Sequence, residues 1–385
     1  MKSRVLIFLV FILTVFAISV CIPSGKVASA DELSDAIKDE TERLDLSGLE
    51  DFFDKNVSSD FDFLDTFRNI LNGKYDGAES FYDYIKEILF DRIRSMLPTF
   101  VSIIVIVFIC GLLNGLKGGL LSENVSVIIR FATFLAVSLL LSGEMISIYS
   151  TTKNSIENIG IFSEIMSPII LTLMIASNGN ASAAVYKPSV VFFSDFVIGV
   201  FYKIVMPLIG IIIIFTFVSH LSKDIRIKKF SDFFAGIIKW IFGIVVFCYG
   251  FIVTVQGLSV SAIDGISVKV AKYAILNSVP IVGGLIKDGL DVVTAGSIII
   301  KNVVGVAGLT GLFYILLAPL LHIITFSLLL KLTSAVTDVF SDGAISDFMS
   351  SLSKTVSFFV AAILTVALMA FLLTLLMVFS ANSVL

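Results

Sequence analysis

The chain has 385 residues, of which 57% are hydrophobic and 15% are charged, and its formal net charge is −4. Soluble domains average about 25% charged residues, so this composition and a mean hydropathy of +1.01 exclude an ordinary water-soluble protein. They indicate several membrane-spanning helices instead of one anchor. The chain also lacks the basic surplus that neutralises phosphates, so we expect no nucleic-acid partner.

The first 30 residues have the pattern of a cleavable secretory signal peptide. Lys2 and Arg4 form a basic start, residues 5–20 are apolar or small, and Ala28-Ser29-Ala30 fits the cleavage motif. The alternative is an uncleaved first membrane span, because signal sequences and short anchors overlap in length. In either case the segment that follows is predicted to lie outside the cytoplasm.

Residues 31–95 are predicted to form a small, acidic, extracytoplasmic helical arm. From Asp31 to Arg94 the sequence holds 18 Asp and Glu against 8 Lys and Arg, whereas residues 95–385 carry a net +3. Apolar residues recur at the spacing of amphipathic helices. They are Phe63, Leu64, Phe67, Ile70 and Leu71 in one helix and Phe81, Ile85, Ile88 and Leu89 in the next. Such stripes pack on each other, on the rest of the chain, on a partner or on the membrane surface.

Residues 96–385 are predicted to be a polytopic membrane domain with about 7–9 membrane segments, so the fold class is an all-α helical membrane protein. The apolar runs are residues 97–116, 125–149, 161–176, 189–202, 204–221, 237–255, 290–309, 312–330 and 356–380. The runs at 161–176 and 189–202 are shorter than the ~20 residues of a typical span. They either cross the membrane or form a re-entrant pair.

The distribution of basic residues predicts the topology. The most basic loop, Ser222 to Phe230, contains four Lys and Arg residues and should be cytoplasmic. Since the arm lies outside, an odd number of crossings must separate residue 95 from residue 222. Five crossings fit if every run spans the membrane, and three fit if residues 161–202 are re-entrant.

The segment from residue 277 to residue 311 combines an apolar run with glycines and charged residues, and it provides the candidate site. Its residues are Gly283, Gly284, Asp288, Asp291, Lys301, Asn302, Gly305 and Gly308. A lysine within a span is costly unless it is paired, snorkels or meets water. Asp291 is more than two helical turns from Lys301 and cannot pair with it along one straight helix. Lys301 therefore faces a polar cavity or lies near the boundary of a shorter segment.

The glycines of this segment allow helix backbones to approach closely in lipid. They serve either tight packing within the chain or packing between copies around a central path. We interpret the whole set as pore-lining or helix-packing residues.

Sequence signatures of enzymes are missing, so we expect no catalytic residues, no cofactor, no metal site and no enzymatic activity. There is no HExxH, no Gly-x-Ser-x-Gly and no P-loop. His322 stands alone among apolar residues, where a hydrogen-bonded structural role is favoured over a proton relay. Energy for any transport must then come from a partner or a gradient, which favours a conduit or scaffold.

Residues 277–309, NSVPIVGGLIKDGLDVVTAGSIIIKNVVGVAGL, resemble the central signature of the stage III sporulation protein AE family of endospore-forming bacteria. The matching pieces are the Pro-x-Val-Gly-Gly turn, Asp288 and Asp291, and the Ile-Lys-Asn-x-Val-Gly sequence that contains Lys301. Residues 255–275 and 337–356 agree with the same family, as does the order of signal, acidic arm and polytopic body.

The resemblance implies a multi-pass protein of the mother-cell membrane that surrounds the forespore. It implies membership of an oligomeric, secretion-like channel complex that links the two cells and supports late forespore development. The implied partners are the lipid bilayer, other stage III sporulation operon proteins including a secretion-type ATPase and, indirectly, stage II sporulation protein Q. The alternatives are a self-sufficient secondary transporter, for which broken helices and midplane polar residues are typical, and an intramembrane enzyme.

Overall fold

The computed structural model describes residues 41, 44–57, 61–73, 77–115, 123–177, 179–221, 228–278, 283–340 and 343–380. Eight helices account for nearly all of these residues. They are α1 (Ser47–Asn56), α2 (Phe63–Leu71), α3 (Gly77–Gly115), α4 (Glu123–Ala176), α5 (Asn180–Leu221), α6 (Lys228–Ser278), α7 (Gly283–Asp338) and α8 (Ala344–Phe379). The predicted signal peptide lies outside the described residues. Within the described ranges there is no strand.

Helices α3 to α8 are each long and apolar enough to cross a membrane, which confirms the prediction of an all-α, multi-pass protein. The nine apolar runs correspond to these six helices because three pairs of runs share one helix. The pairs are 125–149 with 161–176 in α4, 189–202 with 204–221 in α5, and 290–309 with 312–330 in α7. Polar residues between two runs lower the hydropathy, but they leave the backbone hydrogen bonds of a helix intact.

The helical bundle is longer than a bilayer is thick. Helix α4 has 54 residues, which at 1.5 Å per residue is about 81 Å, whereas the hydrocarbon core spans ~30 Å. Exposed large apolar side chains concentrate in residues 97–113, 125–146, 230–255 and 328–340. We call this part of the bundle the membrane half.

The opposite part of the bundle, the arm half, exposes charged side chains. They are Glu157, Glu164, Lys187, Asp195 and Lys203. Charged residues on an outward face are unfavourable in hydrocarbon but not in water. The balance of exposed side chains therefore favours the bilayer at the membrane half, where Lys239, Lys331 and Lys354 are exposed among many apolar residues, and water at the arm half.

The ends of α3, α5 and α7 and the starts of α4 and α8 meet at one end of the membrane half. The ring of Phe348 at the start of α8 lies 5.0 Å from that of Phe134 and 5.1 Å from that of Phe217. Phe340, just after α7, lies 5.2 Å from Phe108. We call this the basic end, because α6 begins there with Lys228 and Lys229, and the ring of Phe230 lies 6.4 Å from that of Phe215 in α5. The three helices α3, α4 and α5 lie between residues 95 and 222, which is one of the two odd numbers that the charge pattern allows.

The arm packs on the body of the chain. Phe53 of α1 stacks on Phe63 at 5.3 Å and lies 6.1 Å from Phe162 of α4. The side-chain amide of Asn158 in α4 donates a 3.0 Å hydrogen bond to that of Asn56. The amphipathic stripe of α2 is compatible with several partner surfaces. Helix α2 packs on the body of its own chain, where Phe63 and Phe67 are buried.

Candidate functional site

The candidate residues lie on one helix, α7, in the arm half. Gly283, Gly284, Asp288 and Asp291 occupy its first turns, where the structure describes only the backbone. Lys301, Asn302, Gly305 and Gly308 follow on the part of α7 that is enclosed by α4, α8 and the arm. The position of the two aspartate side chains relative to Lys301 therefore lies outside the described residues.

Lys301 is completely buried, and its ammonium group donates a hydrogen bond to the carbonyl oxygen of Ser380. Ser380 directly follows the last residue of α8. The final carbonyl groups of a helix have no intrahelical partner and form the negative end of its dipole. A lysine at that position is stabilised by charge–dipole attraction, so Lys301 joins the middle of α7 to the end of α8.

Two buried hydroxyl groups accompany this lysine. Ser297 lies one helical turn before Lys301 on the same face of α7, and neither its hydroxyl nor that of Ser380 has a hydrogen-bond partner among the described residues. Buried hydroxyls are normally bonded to protein or to water. Lys301, Ser297 and Ser380 therefore form a small polar nucleus in an apolar surrounding. Single serines carry no sequence signal, so this nucleus could not be predicted.

The glycines of α7 are close-approach positions within one chain. A Cβ atom at Gly305 would lie 2.1 Å from Cγ2 of Val378 in α8, and one at Gly308 would lie 2.4 Å from Cε of Met166 in α4. A third glycine, Gly311, faces the ring of Phe53 in the arm. The three positions thus meet three different neighbours. The sequence is compatible with glycines that serve packing within the chain or packing between copies. These contacts are of the first kind.

His322 is buried in α7, and its Nε2 atom has no hydrogen-bond partner among the described residues. In the same part of the chain, no group of three His, Cys, Asp or Glu side chains comes close enough to hold a metal ion. The described side chains of the candidate segment hold α7 against α8, α4 and the arm.

Comparison with known proteins adds the following. A family model described as stage III sporulation protein AE matches residues 61–381, which is the chain from just before α2 to just after α8. The chain is also similar to stage III sporulation protein AE of Bacillus subtilis (strain 168), with 25% identity over 271 residues, 70% of this chain and 68% of that protein. No solved structure matches the chain.

Proposed function

The chain belongs to the stage III sporulation protein AE family, and we propose that it is the multi-pass membrane subunit of a secretion-like channel complex between mother cell and forespore. The observation that carries this proposal is the double-length bundle. A subunit of a trans-envelope complex needs a membrane-embedded part and a folded part that reaches into the space between the two membranes. The membrane half and the arm half provide these two parts in one chain.

The proposed orientation follows from charge. The basic loop at residues 222–230 faces the mother-cell cytoplasm under the positive-inside rule, so the arm half faces the intermembrane space. In this position the arm half is the surface available to other stage III sporulation proteins and, through them, to stage II sporulation protein Q. A secretion-type ATPase in the same set acts at the opposite, cytoplasmic face.

The proposed role is conduction or scaffolding and not catalysis. The chain has no nucleotide-binding or hydrolase motif, so energy comes from the ATPase partner. The membrane position is the mother-cell membrane around the forespore, where such a complex must assemble.

The experiment combines deletion with affinity isolation from sporulating cells. We expect deletion to arrest forespore development after engulfment, and the tagged full-length protein to co-isolate other stage III sporulation proteins. A tagged, unrelated multi-pass protein expressed at the same stage is the control for non-specific co-isolation. Normal spore formation by the deletion strain would contradict the proposal.

A self-sufficient permease is the second candidate, and one feature favours it. Helix α5 contains π-helical segments at Phe192–Val197 and Phe201–Val205, and such segments are frequent at functional sites. Purified protein in liposomes tests this alternative: solute uptake by the chain alone would favour a permease, and its absence would favour the complex.

A further inference from the structure

The outer faces of three helices in the membrane half suit hydrocarbon. Large exposed apolar side chains recur along them at intervals of one or two helical turns. They are Val101, Val105, Ile109 and Leu112 on α3, Ile128, Phe131, Leu135 and Leu139 on α4, and Phe233, Trp240, Phe247 and Phe251 on α6. The faces of α3 and α4 need no partner other than lipid, whereas α6 also exposes one lysine, Lys239, beside Trp240.

The face formed by α7 and α8 at the same level is different, because it carries hydroxyl and ammonium groups. Its residues are Ser327, Lys331, Ser334 and Asp338 on α7 and Ser346, Ser350, Ser353, Lys354 and Ser357 on α8. Spacings of three and four residues place each set on one side of its helix. We call these nine residues the polar track.

Hydrogen bonds show that the two stripes face each other. The hydroxyls of Ser327 and Ser353 lie 3.1 Å apart, and those of Ser334 and Ser346 lie 3.0 Å apart. Lys331 lies between Ser327 and Ser334 on the α7 stripe. Lys331 and Lys354 have exposed side chains, whereas Ser334 and Ser353 are buried between the two helices. The track is therefore a seam along the α7–α8 pair, with buried hydroxyls at its base and exposed lysines along its rim.

The polar track reaches deep into the bilayer region. Ser327 is 11 residues from the end of α7 and Ser357 is 13 residues from the start of α8, or about 16 Å and about 20 Å along the helix axes. The hydrocarbon core is ~30 Å thick. The track therefore runs from the basic end to beyond the middle of the membrane half.

The track has defined limits. Farther along the same stripes, Ile324 on α7 and Ala361 and Leu364 on α8 are apolar. The exposed side chains of Leu328 and Leu332 flank the track on α7 and mark where a hydrocarbon-facing surface resumes.

Five of the six serine hydroxyls of the track have hydrogen-bond partners, whereas no hydrogen bond is found for the two ammonium groups among the described residues. The hydroxyl of Ser357 donates to the Lys354 carbonyl at 2.6 Å, and that of Ser334 donates to the Ser346 carbonyl at 2.9 Å. In the part of the chain that the structure describes, neither lysine takes part in an ion pair. Lys331 is 7 residues from the end of α7 and Lys354 is 10 residues from the start of α8, or about 10 Å and about 15 Å along the helix axes. Two unpaired cations at this depth are unfavourable in lipid and require water, counter-ions or a side chain that extends to the interface.

A partner helix is a poorer match for this surface than water. It would have to bring two carboxylates into its own membrane span, where each would be as unfavourable before assembly as the lysines are here. Water hydrates both ammonium groups without any such requirement. The two lysines outnumber the one carboxylate of the track, Asp338 at its basic end, so a wet groove with a net positive charge also attracts anions.

We propose that the polar track lines a water-filled half-channel, open at the basic end and closed near mid-membrane, that admits small hydrated anions. This inference rests on the proposed function, because it names the wetted surface of that membrane subunit. In the assembled protein, the faces of α7 and α8 that carry the polar track would then be shielded from lipid.

The test measures water access to single cysteines in the full-length protein. Cys21, Cys110 and Cys248 are replaced by alanine, and Ser357→Cys is compared with Leu135→Cys. Leu135 is exposed and lies 12 residues from the start of α4, so the two positions match in depth. Inverted membrane vesicles from sporulating cells are treated with a membrane-impermeant maleimide.

We expect Ser357→Cys to react at least tenfold faster than Leu135→Cys. Equal, slow reaction of the two would overturn the proposal, because it would mean that lipid or protein covers the track. If Ser357→Cys fails to insert, Ser350→Cys on the same stripe is compared with Ile128→Cys, which lies at a similar depth on α4.

The anion preference has its own measurement. An anionic methanethiosulfonate should modify Ser357→Cys several-fold faster than a cationic one, and Lys354→Gln should reduce this ratio while Lys187→Gln leaves it unchanged. Equal rates for the two reagents would remove the anion assignment. Labelling is measured in vesicles, and spore formation is measured in cells. If the track is labelled but the protein is dispensable for sporulation, the result would contradict the proposed function and leave the inference intact.

Discussion

Lys301 shows how a lone charge in an apolar sequence becomes part of the packing. The sequence identifies it as unusual, but it cannot identify its acceptor, because the carbonyl of Ser380 is 79 residues away. A hydrogen bond to a backbone group leaves no side-chain pattern at the acceptor position. The neighbouring glycines were also recognisable from sequence, whereas their three different neighbours emerge only once α4, α8 and the arm are assembled.

Replacing Lys301 tests this interpretation. We expect Lys301→Leu to insert normally but to lower the free energy of unfolding by about 1–3 kcal/mol, because a buried carbonyl at the end of α8 loses its donor. The measurement is an unfolding titration in detergent, alongside spore counts. Lys187→Leu, at an exposed position on α5, is the matched control and should behave like the wild type. An unchanged stability for Lys301→Leu would show that the contact contributes nothing.

The glycines of α7 give a graded prediction. Gly305→Ala should destabilise the protein by about 1–3 kcal/mol through overpacking, since Val378 is a short side chain with little room to move. Gly308→Ala should cost less, because the opposing atoms belong to the flexible end of Met166. Gly143→Ala in α4, where nothing lies within 4 Å of the added methyl, should stabilise the protein by about 0.5–1 kcal/mol. The same detergent unfolding series measures all three, and an equal effect at Gly143 and Gly305 would contradict the packing argument.

At the scale of elements, the arm was predictable as helices but not as a docked unit. The stripe of Phe63 and Phe67 indicates an apolar face, yet four kinds of surface satisfy such a face equally well. What selects the body of the chain is complementarity: Gly311 leaves room for the ring of Phe53, and Tyr314 lies 4.9 Å from Phe61. The nine apolar runs correspond to six helices because hydropathy does not show whether a helix continues through the polar residues between two runs.

Removing one aromatic anchor should release the arm without unfolding the bundle. Phe53 is fully buried, and Phe→Ala changes in cores cost about 3–5 kcal/mol of stability. We expect this loss to exceed the free energy that holds the two-helix arm on the bundle. We expect Phe53→Ala to make residues 57–62 and 72–77 sensitive to protease, with α3 to α8 still protected. Phe90→Ala, at an exposed site on α3, should leave the digestion pattern unchanged. Cleavage that spreads into α4 would mean that the arm is required for the bundle itself.

For the whole molecule, the length of the helices matters more than their number. Composition predicted a multi-pass membrane protein, and that prediction is confirmed. What composition could not reveal is that the longest helices exceed the thickness of a bilayer, because the core of the arm half is as apolar as a membrane span. Burial inside the protein and burial in lipid select the same side chains, and only the exposed faces distinguish them.

The two ends of this bundle should therefore lie on opposite sides of the membrane. Asn180 begins α5 at the tip of the arm half and is exposed, and Lys229 is the second residue of α6 at the basic end and is also exposed. In a background without native cysteines, we expect an impermeant thiol reagent to label Asn180→Cys in intact protoplasts and Lys229→Cys only after lysis. Charge supports this orientation, since the basic loop follows α5 directly at the end that carries Lys229.

A depth series along α4 separates a projecting arm half from one buried in lipid. Glu157→Cys and Glu164→Cys, which lie on the exposed face of α4, should label from outside as readily as Asn180→Cys. Ile146→Cys, exposed at the boundary of the membrane half, should label slowly, and Leu139→Cys should not label at all. If labelling stopped short of residue 164, the bilayer would have to sit on the arm half. The charged faces of α4 and α5 would then need partners within the membrane, and the double-length bundle would no longer account for a reach across the envelope.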